Sequence, residues 1–337
     1  MTPDVEDLLA QAHVVVLPLH TAFRGLTRRE ALLLRGPHGW GEFAPFVEYG
    51  DAEASRWLEA AIEAAWRPPV PVRRRVVPVN ATVPAVPAHR VAEVLARFPG
   101  CTTAKVKVAE RGQDLADDVA RVAEVRTVLG RSGRIRVDAN GAWDVGTARR
   151  ALGVLSRFGL EYAEQPCSDL TGLRSLRLAL ARDGVDLAIA ADESVRKAGD
   201  PLRVAVAGAA DIVVIKVAPL GGVRAALDVA QALGADHGLA VVVSSALDTS
   251  VGLAAGIRLA AALPDLPYAC GLGTASLLAA DVTADPLLPE AGAVAVRAVV
   301  PDPERLTRLA AAPERARWWL DRVRRCAAIA KVTPGDV

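Results

Sequence analysis

From about residue 75 onward the chain repeats one pattern, a short apolar run followed by a helical stretch, and this repetition constrains the fold more than any other feature. VVPVNATV leads into 88–98, TTAKVKV into 113–130 and RIRVDAN into 145–158. EYAEQP, DLAIAADES, DIVVIKVA and LAVVVSSALD lead in turn into 170–182, 200–208, 221–235 and 250–263, and YACGLG closes the series. The short runs are nearly continuous in apolar residues, as strands covered on both faces must be. Seven or eight consecutive βα units predict an α/β fold, a parallel barrel sheathed in helices. A doubly wound open sheet is the alternative, but no GxGxxG follows a first strand.

The flanks read differently. Residues 13–46 alternate strands and turns, 53–66 is helical, and RPPVPVRRR breaks that helix with prolines, which suggests a small α+β unit. Beyond 290, AVAVRAVVP precedes a helical stretch over 303–330 that is rich in arginine and holds Trp318 and Trp319. Its apolar stripe is expected to pack on the N-terminal unit; the alternative is a basic amphipathic helix meeting a membrane surface or a partner. Residues 331–337 read as a loose tail. The expected divisions are 1–74, 75–290 and 291–337.

Charged residues recur at corresponding places in the strands. Asp138 ends RIRVD, Glu164 lies in EYAEQP, Asp192 ends DLAIAAD and Lys216 lies in DIVVIK, at spacings of 26, 28 and 24 residues. Each spacing is one βα unit, so the four side chains gather at one end of neighbouring strands, the C-terminal mouth where barrel active sites form. Three converging carboxylates repel one another, and a hard divalent cation such as Mg²⁺, with Mn²⁺ as its substitute, resolves the repulsion. One acid alone would more often cap the following helix; three in register favour the cation. Only five of the 40 Lys+Arg are lysine, and lysine, unlike arginine, can lose its proton when buried. Lys105 and Lys107 share one strand face, and Lys216 lies four units further on, across the barrel. A cation at a substrate carboxylate stabilises the charge formed when the adjacent C–H loses its proton, and a lysine beside it is a suitable base.

Other classes find no support. A net charge of +1 offers nothing to nucleic acid. The acidic N-terminus is unlike a signal peptide, and no run approaches the ~18 apolar residues of a membrane span. The four cysteines (Cys101, Cys167, Cys270, Cys326) form no CxxC pair and read as ordinary reduced thiols. A cytoplasmic enzyme with a small-molecule carboxylate substrate is expected.

TxKxK (Thr103, Lys105, Lys107), DAN (Asp138, Asn140), EQP (Glu164), ADES (Asp192, Glu193) and VIKVAPLGG (Lys216) together resemble the muconate-lactonizing subgroup of the enolase superfamily. The resemblance implies a modified (β/α)7β barrel with an α+β capping domain built from the N-terminal segment and the C-terminal helix. It implies Asp138, Glu164 and Asp192 as metal ligands and Lys107 as base. Lys105 would hold the substrate carboxylate, Lys216 would face it from the opposite side, and Asn140 and Glu193 would support them. Within the subgroup, PLHTAFRGLTRREALLLR and GWGEFAPFVEYG, with SSALDTSVGLAAG and CGLGT, are similar to the o-succinylbenzoate synthase branch. CGLGT carries no acid, unlike the dipeptide epimerases; an N-succinylamino acid racemase is the alternative. Ser244, Ser245, Gly271 and Leu272, with Arg24 on a mobile loop around His20–Arg24, are expected to meet the substrate's succinyl tail. Arg136 shares the face of Asp138 and is expected to form an ion pair within the barrel, supporting the ligands. A Schiff-base aldolase would explain Lys216 but not three carboxylates, and a non-catalytic barrel would have lost a ligand or base.

Overall fold

The computed structural model describes residues 4–195 and 200–330. A short helix α1 (Val5–Ala10) precedes an antiparallel sheet of β1 (His13–Phe23), β2 (Leu26–Gly36) and β3 (Gly39–Phe43), on which α2 (Asp51–Trp66) lies. Strand alternation gives this sheet two buried faces. Val15, Leu17, Ala31 and Leu33 join the barrel core, whereas Val14, Leu32, Leu34 and Phe43 join a second core beneath the helices. The approach of α2 is close enough to require glycine. A Cβ on Gly41 would lie 2.0 Å from the Ala61 carbonyl oxygen. Gly41→Ala is therefore expected to cost about 1–3 kcal/mol through overpacking, read as a lowered thermal midpoint; an unchanged midpoint would mean that sheet and helix separate freely.

The barrel follows. β4 (Val76–Pro78) is succeeded by the parallel strands β5 (Ala81–Val83), β6 (Thr103–Lys107), β7 (Arg134–Asp138), β8 (Leu160–Glu164), β9 (Ala188–Ala191), β10 (Ile212–Ile215) and β11 (Ala240–Val243), hydrogen-bonded in chain order. Residues 270–271 close the ring. Cys270 N–H donates to Pro78 O and Cys270 O accepts from Asn80 N–H, while Gly271 N–H donates to Val243 O and Gly271 O accepts from Ser245 N–H. The run VVPVNATV is thus two strands: β4 leaves the ring to pair antiparallel with β12 (Ala293–Ala295), the only strand within AVAVRAVVP.

The helices between are α3 (Val91–Leu95), α4 (Leu115–Leu129), α5 (Val145–Leu155), α6 (Leu170–Arg182), α7 (Asp200–Ala207), the single turn α8 (Val217–Leu220), α9 (Val223–His237) and α10 (Ser250–Ala262). Stretch 88–98 is shorter than expected, one 3₁₀ turn and α3. Side chains of Asp114, Asp144, Asp169 and Thr249 cap α4, α5, α6 and α10, so at these junctions capping falls to residues other than the strand-end acids.

The expected C-terminal helix is two, α11 (Pro303–Arg308) and α12 (Pro313–Ala330). Between them Leu309 and Ala311 bond the backbone of β1 at Val16 and Val14, and proline, which suits a first helical turn, restarts the helix. As expected, α12 packs on the N-terminal unit: Trp319, Val323, Cys326 and Ala327 enter the second core, with Trp319 edge-on to Phe43. Among the described residues no helix is long and apolar enough to cross a membrane. Residues 331–337, the expected tail, lie outside the described residues.

Candidate active site

Strand register assembles the site. Lys107 of β6 pairs with Asp138 of β7, which pairs with Glu164 of β8, so the three stand at one level. Glu164 pairs with Ala190, and Asp192 lies two residues beyond it, on the same face. Lys216 immediately follows β10. All three carboxylates are buried, as are Lys105 and Lys107.

Lys107 Nζ donates to Asp138 Oδ2 at 2.6 Å and to Asn140 Oδ1 at 2.8 Å. Lys105 Nζ donates to Glu164 Oε1 at 2.6 Å and stands 3.3 Å from Asp138 Oδ2. From the other side Lys216 Nζ donates to both oxygens of Asp192, at 2.5 Å to Oδ2. Asn140, itself held in the left-handed region at φ +47°, donates to Glu193 Oε1 at 3.1 Å. The expected supporting roles of Asn140 and Glu193 thus have a geometric counterpart: one chain of contacts runs from Glu193 through Asn140 to Lys107.

The electrostatics follow from burial and charge. Burial and the neighbouring charge of Asp138 push Glu164 up to about 8, against the pull of Lys105. Burial would also raise Asp138, but the ammoniums of Lys107 and Lys105 outweigh it and hold Asp138 well below the usual carboxylate range. Lys105 resists its own desolvation because Glu164 and Asp138 flank it, which holds its ammonium well above the ordinary lysine value.

The donor set suits a hard divalent cation. Three carboxylates converge on one barrel end, and Glu164 Oε2 is buried with no hydrogen-bond donor. Here the ammoniums neutralise the acids, and among the described residues no three acids, histidines or cysteines form a ready-made cation cage.

A cavity opens here, lined by Lys105, Lys107, Asp138, Asn140, Asp192 and Lys216 together with Phe23, Arg24, Phe46, Thr82, Ser244, Ser245, Leu247, Gly271 and Thr274. Ser244, Ser245, Arg24 and Gly271, the expected tail contacts, lie on the wall of this cavity. A side chain at 271 would displace the Ser244 hydroxyl, which a Cβ there would crowd. Leu272 does not reach the cavity. Alternation turns it outward into the core, where it packs on Gly256 of α10. The segment His20–Phe23 is the end of β1, followed by a tight turn at Arg24 and Gly25, both at positive φ, instead of the expected mobile loop. Arg24 stacks over the Phe46 ring at 4.6 Å.

Arg136 forms the expected ion pair inside the barrel, but with Glu161, and it also binds Asn80 Oδ1 and Ala269 O between the rings of Tyr162 and Tyr268. It bonds none of the site carboxylates. Two residues before Asp138, it belongs to the layer below, so its expected support of the ligands is corrected to a role in the barrel floor. Burial pushes the thiols of Cys167 and Cys270 up to about 11, as expected of packing cysteines.

One positioning residue was missed. Gln165, at φ +39°, accepts from the backbone N–H of Asp192 and Ser194 and donates to Cys167 O and Ser194 Oγ, fixing the end of β9 from β8. Its only signal was adjacency to Glu164 in EQP.

Residues 14–65 match the family described as Enolase N-terminal domain-like and 88–302 that described as Enolase C-terminal domain-like. The chain is 54% identical over 331 residues to an o-succinylbenzoate synthase of Mycobacterium marinum, covering 98% of this chain and 97% of the relative. It is 56% identical to that of Mycolicibacterium smegmatis, covering 97% and 98%. Among solved structures, 2-chloromuconate cycloisomerase from Rhodococcus opacus superposes with a TM-score of 0.76 at 25% identity, covering 89% of this chain and 98% of that one. Muconate lactonizing enzyme from Pseudomonas putida gives 0.73 at 22%, over the same shares, and shows the fold alone. Barrel and capping domain follow the lactonizing enzymes, and more than half of the residues match those relatives end to end: the chain belongs to the o-succinylbenzoate synthase family of the enolase superfamily.

Proposed function

We propose that this enzyme is a carbon–oxygen lyase that dehydrates 2-succinyl-6-hydroxy-2,4-cyclohexadiene-1-carboxylate to 2-succinylbenzoate in menaquinone biosynthesis. The reading rests on the family and on one observation: lysines reach a single cavity from opposite walls, Lys105 and Lys107 from β6 and Lys216 from the end of β10, around three buried carboxylates. Asp138, Glu164 and Asp192 would hold Mg²⁺, or Mn²⁺ in its stead. Bound there, the cation supplies Lewis-acid stabilisation of the charge developing on the substrate carboxylate.

Lys105 binds that carboxylate. Lys107, held by Asn140, removes the adjacent ring proton. The C–H electron pair moves into the ring, the C–O bond breaks, and Lys107 returns its proton to the departing hydroxyl on the same face, so that water leaves and the ring becomes aromatic. Lys216, bonded to Asp192, presents a fixed ammonium to the opposite ring face. Phe23, Phe46 and Leu247 exclude water, and Ser244, Ser245 and Arg24 receive the succinyl carboxylate. A cytoplasmic setting fits the unpaired thiols.

Racemisation of an N-succinyl amino acid, the second reading, would require Lys216 to exchange protons as well. The similarity to o-succinylbenzoate synthases over nearly the whole chain favours the fixed cation. The kcat/KM for dehydration is therefore expected to exceed that for racemisation by at least roughly 100-fold, about 2.7 kcal/mol in transition-state binding. Purified protein assayed with both substrates in Mg²⁺ decides this. Comparable efficiencies would mean a bifunctional enzyme, and no detectable dehydration would overturn the proposal.

A further inference from the structure

We propose that Arg29 and Glu42, two buried charged residues of the capping domain, are positioning residues that clamp the barrel loop 244–249 and thereby shape the wall that receives the substrate's tail; this rests on the reading of the cavity given above. Arg29, on β2, is only 3% exposed. Its Nε donates to Leu247 O at 3.1 Å, and one Nη donates to Ala246 O at 3.4 Å and to Ala44 O. Ala44 belongs to the capping domain and Ala246 and Leu247 to the barrel, so one guanidinium joins the two. Glu42, on β3, accepts from Thr249 N–H at 3.1 Å, Thr249 Oγ1 at 2.5 Å and Gly252 N–H at 3.2 Å, gripping the start of α10.

The gripped segment is the cavity wall, for Ser244, Ser245, Ala246 and Leu247 all line it. Leu247 lies at φ +63°, a left-handed conformation that a residue with a side chain keeps only if its surroundings hold it. The bond from Arg29 to its carbonyl is such a restraint. The same guanidinium lies 4.5 Å from the centre of the Phe46 ring, which lines the cavity from the capping side. Docking of the capping domain and the form of the binding wall are thus one event.

The clamp also carries a charge imbalance. Arg29 faces the buried carboxyl of Glu42 and the half-buried one of Asp248, with Arg24, Glu30 and Lys216 as the other charged neighbours. Helices α2 and α10 present only apolar or small residues to this space, such as Trp57, Ala60, Val251 and Ala255. Burial and the charge of Asp248 push Glu42 up to about 8. The donors from Thr249 and Gly252 and the guanidinium of Arg29 oppose that rise, so the contacts that grip the loop are the ones that favour the carboxylate.

Hydrogen-exchange mass spectrometry and steady-state kinetics on the full chain, with circular dichroism to confirm folding, test the clamp. Arg29→Lys keeps the charge but loses the forked reach. We expect amide exchange in 244–249 to quicken by at least about 10-fold with the other barrel strands unchanged, and KM for the cyclohexadiene acid to rise about 10-fold while kcat stays within about 3-fold. Glu42→Gln, a weaker acceptor for Thr249 and Gly252, should quicken exchange in the same segment. Unchanged exchange in 244–249 or a loss confined to kcat would overturn the clamp. Should Arg29→Lys fail to fold, Glu42→Gln decides. If wild type does not turn over the cyclohexadiene acid at all, the proposed activity fails, whereas the exchange measurement still judges the clamp.

Discussion

Lys107→Ala is expected to lower dehydration by at least about 1000-fold, within the range lost with a general base, and to abolish exchange of the substrate's ring proton with solvent deuterium. The fold should survive, because Lys107 sits at the open end of β6 and its removal leaves Lys105 to neutralise Asp138. Lys107→Arg is the sharper test. It preserves the positive charge beside Asp138 and Asn140, yet a guanidinium cannot accept a proton near neutrality. Near-normal turnover by Lys107→Arg would remove Lys107 from the role of base and leave it a structural counter-ion. Lys216→Ala should also be severely impaired, but for want of an ammonium at the opposite ring face, so that Lys216→Arg recovers more of its activity than Lys107→Arg does.

Glu164→Gln keeps the side chain's shape and its acceptor for Lys105 while deleting one charge from the proposed ligand set. Mg²⁺ binding, measured by titration calorimetry, is expected to weaken by at least roughly 100-fold, the upper end of what loss of a mere supporting contact costs, and turnover should disappear. Exhaustive chelation of wild type should do the same and be reversed by Mg²⁺; full turnover in chelator would end the metal hypothesis. Stability should move the other way. The folded carboxyl of Glu164 is raised from the ordinary 4.5 to about 8, so the folded state binds its proton more tightly than the unfolded chain does. Its contribution is favourable below the ordinary value and is lost as pH rises to about 8. Chelated wild type should therefore lose stability across that window, and Glu164→Gln should flatten the loss. Asp138, held low, contributes stability that is already complete above its ordinary range and adds no slope there.

What the sequence by itself determined follows from local rules repeated at a fixed period. Alternation along a strand put Lys105 and Lys107 on one face, and the βα repeat put Asp138, Glu164 and Asp192 at one end of the barrel; both required only counting. The packing of α12 on the N-terminal unit was legible for the same reason, because an amphipathic stripe needs a partner. Which member of the carboxylate family the substrate is came from resemblance instead, and the ligand roles with it.

Only the tertiary structure decided the rest. Leu272 faces outward because ring closure at 270–271 sets the phase of that short run, which its own six residues do not reveal. Helix 303–330 is broken because its middle pairs with β1, almost 300 residues earlier. Nothing in the sequence singles out Arg29 and Glu42, whose partners lie 218 and 207 residues away, on the barrel loop. A sequence displays periodicity among neighbours; it does not display which backbone carbonyl a buried guanidinium will find, since that depends on how two separately formed layers come to rest against each other.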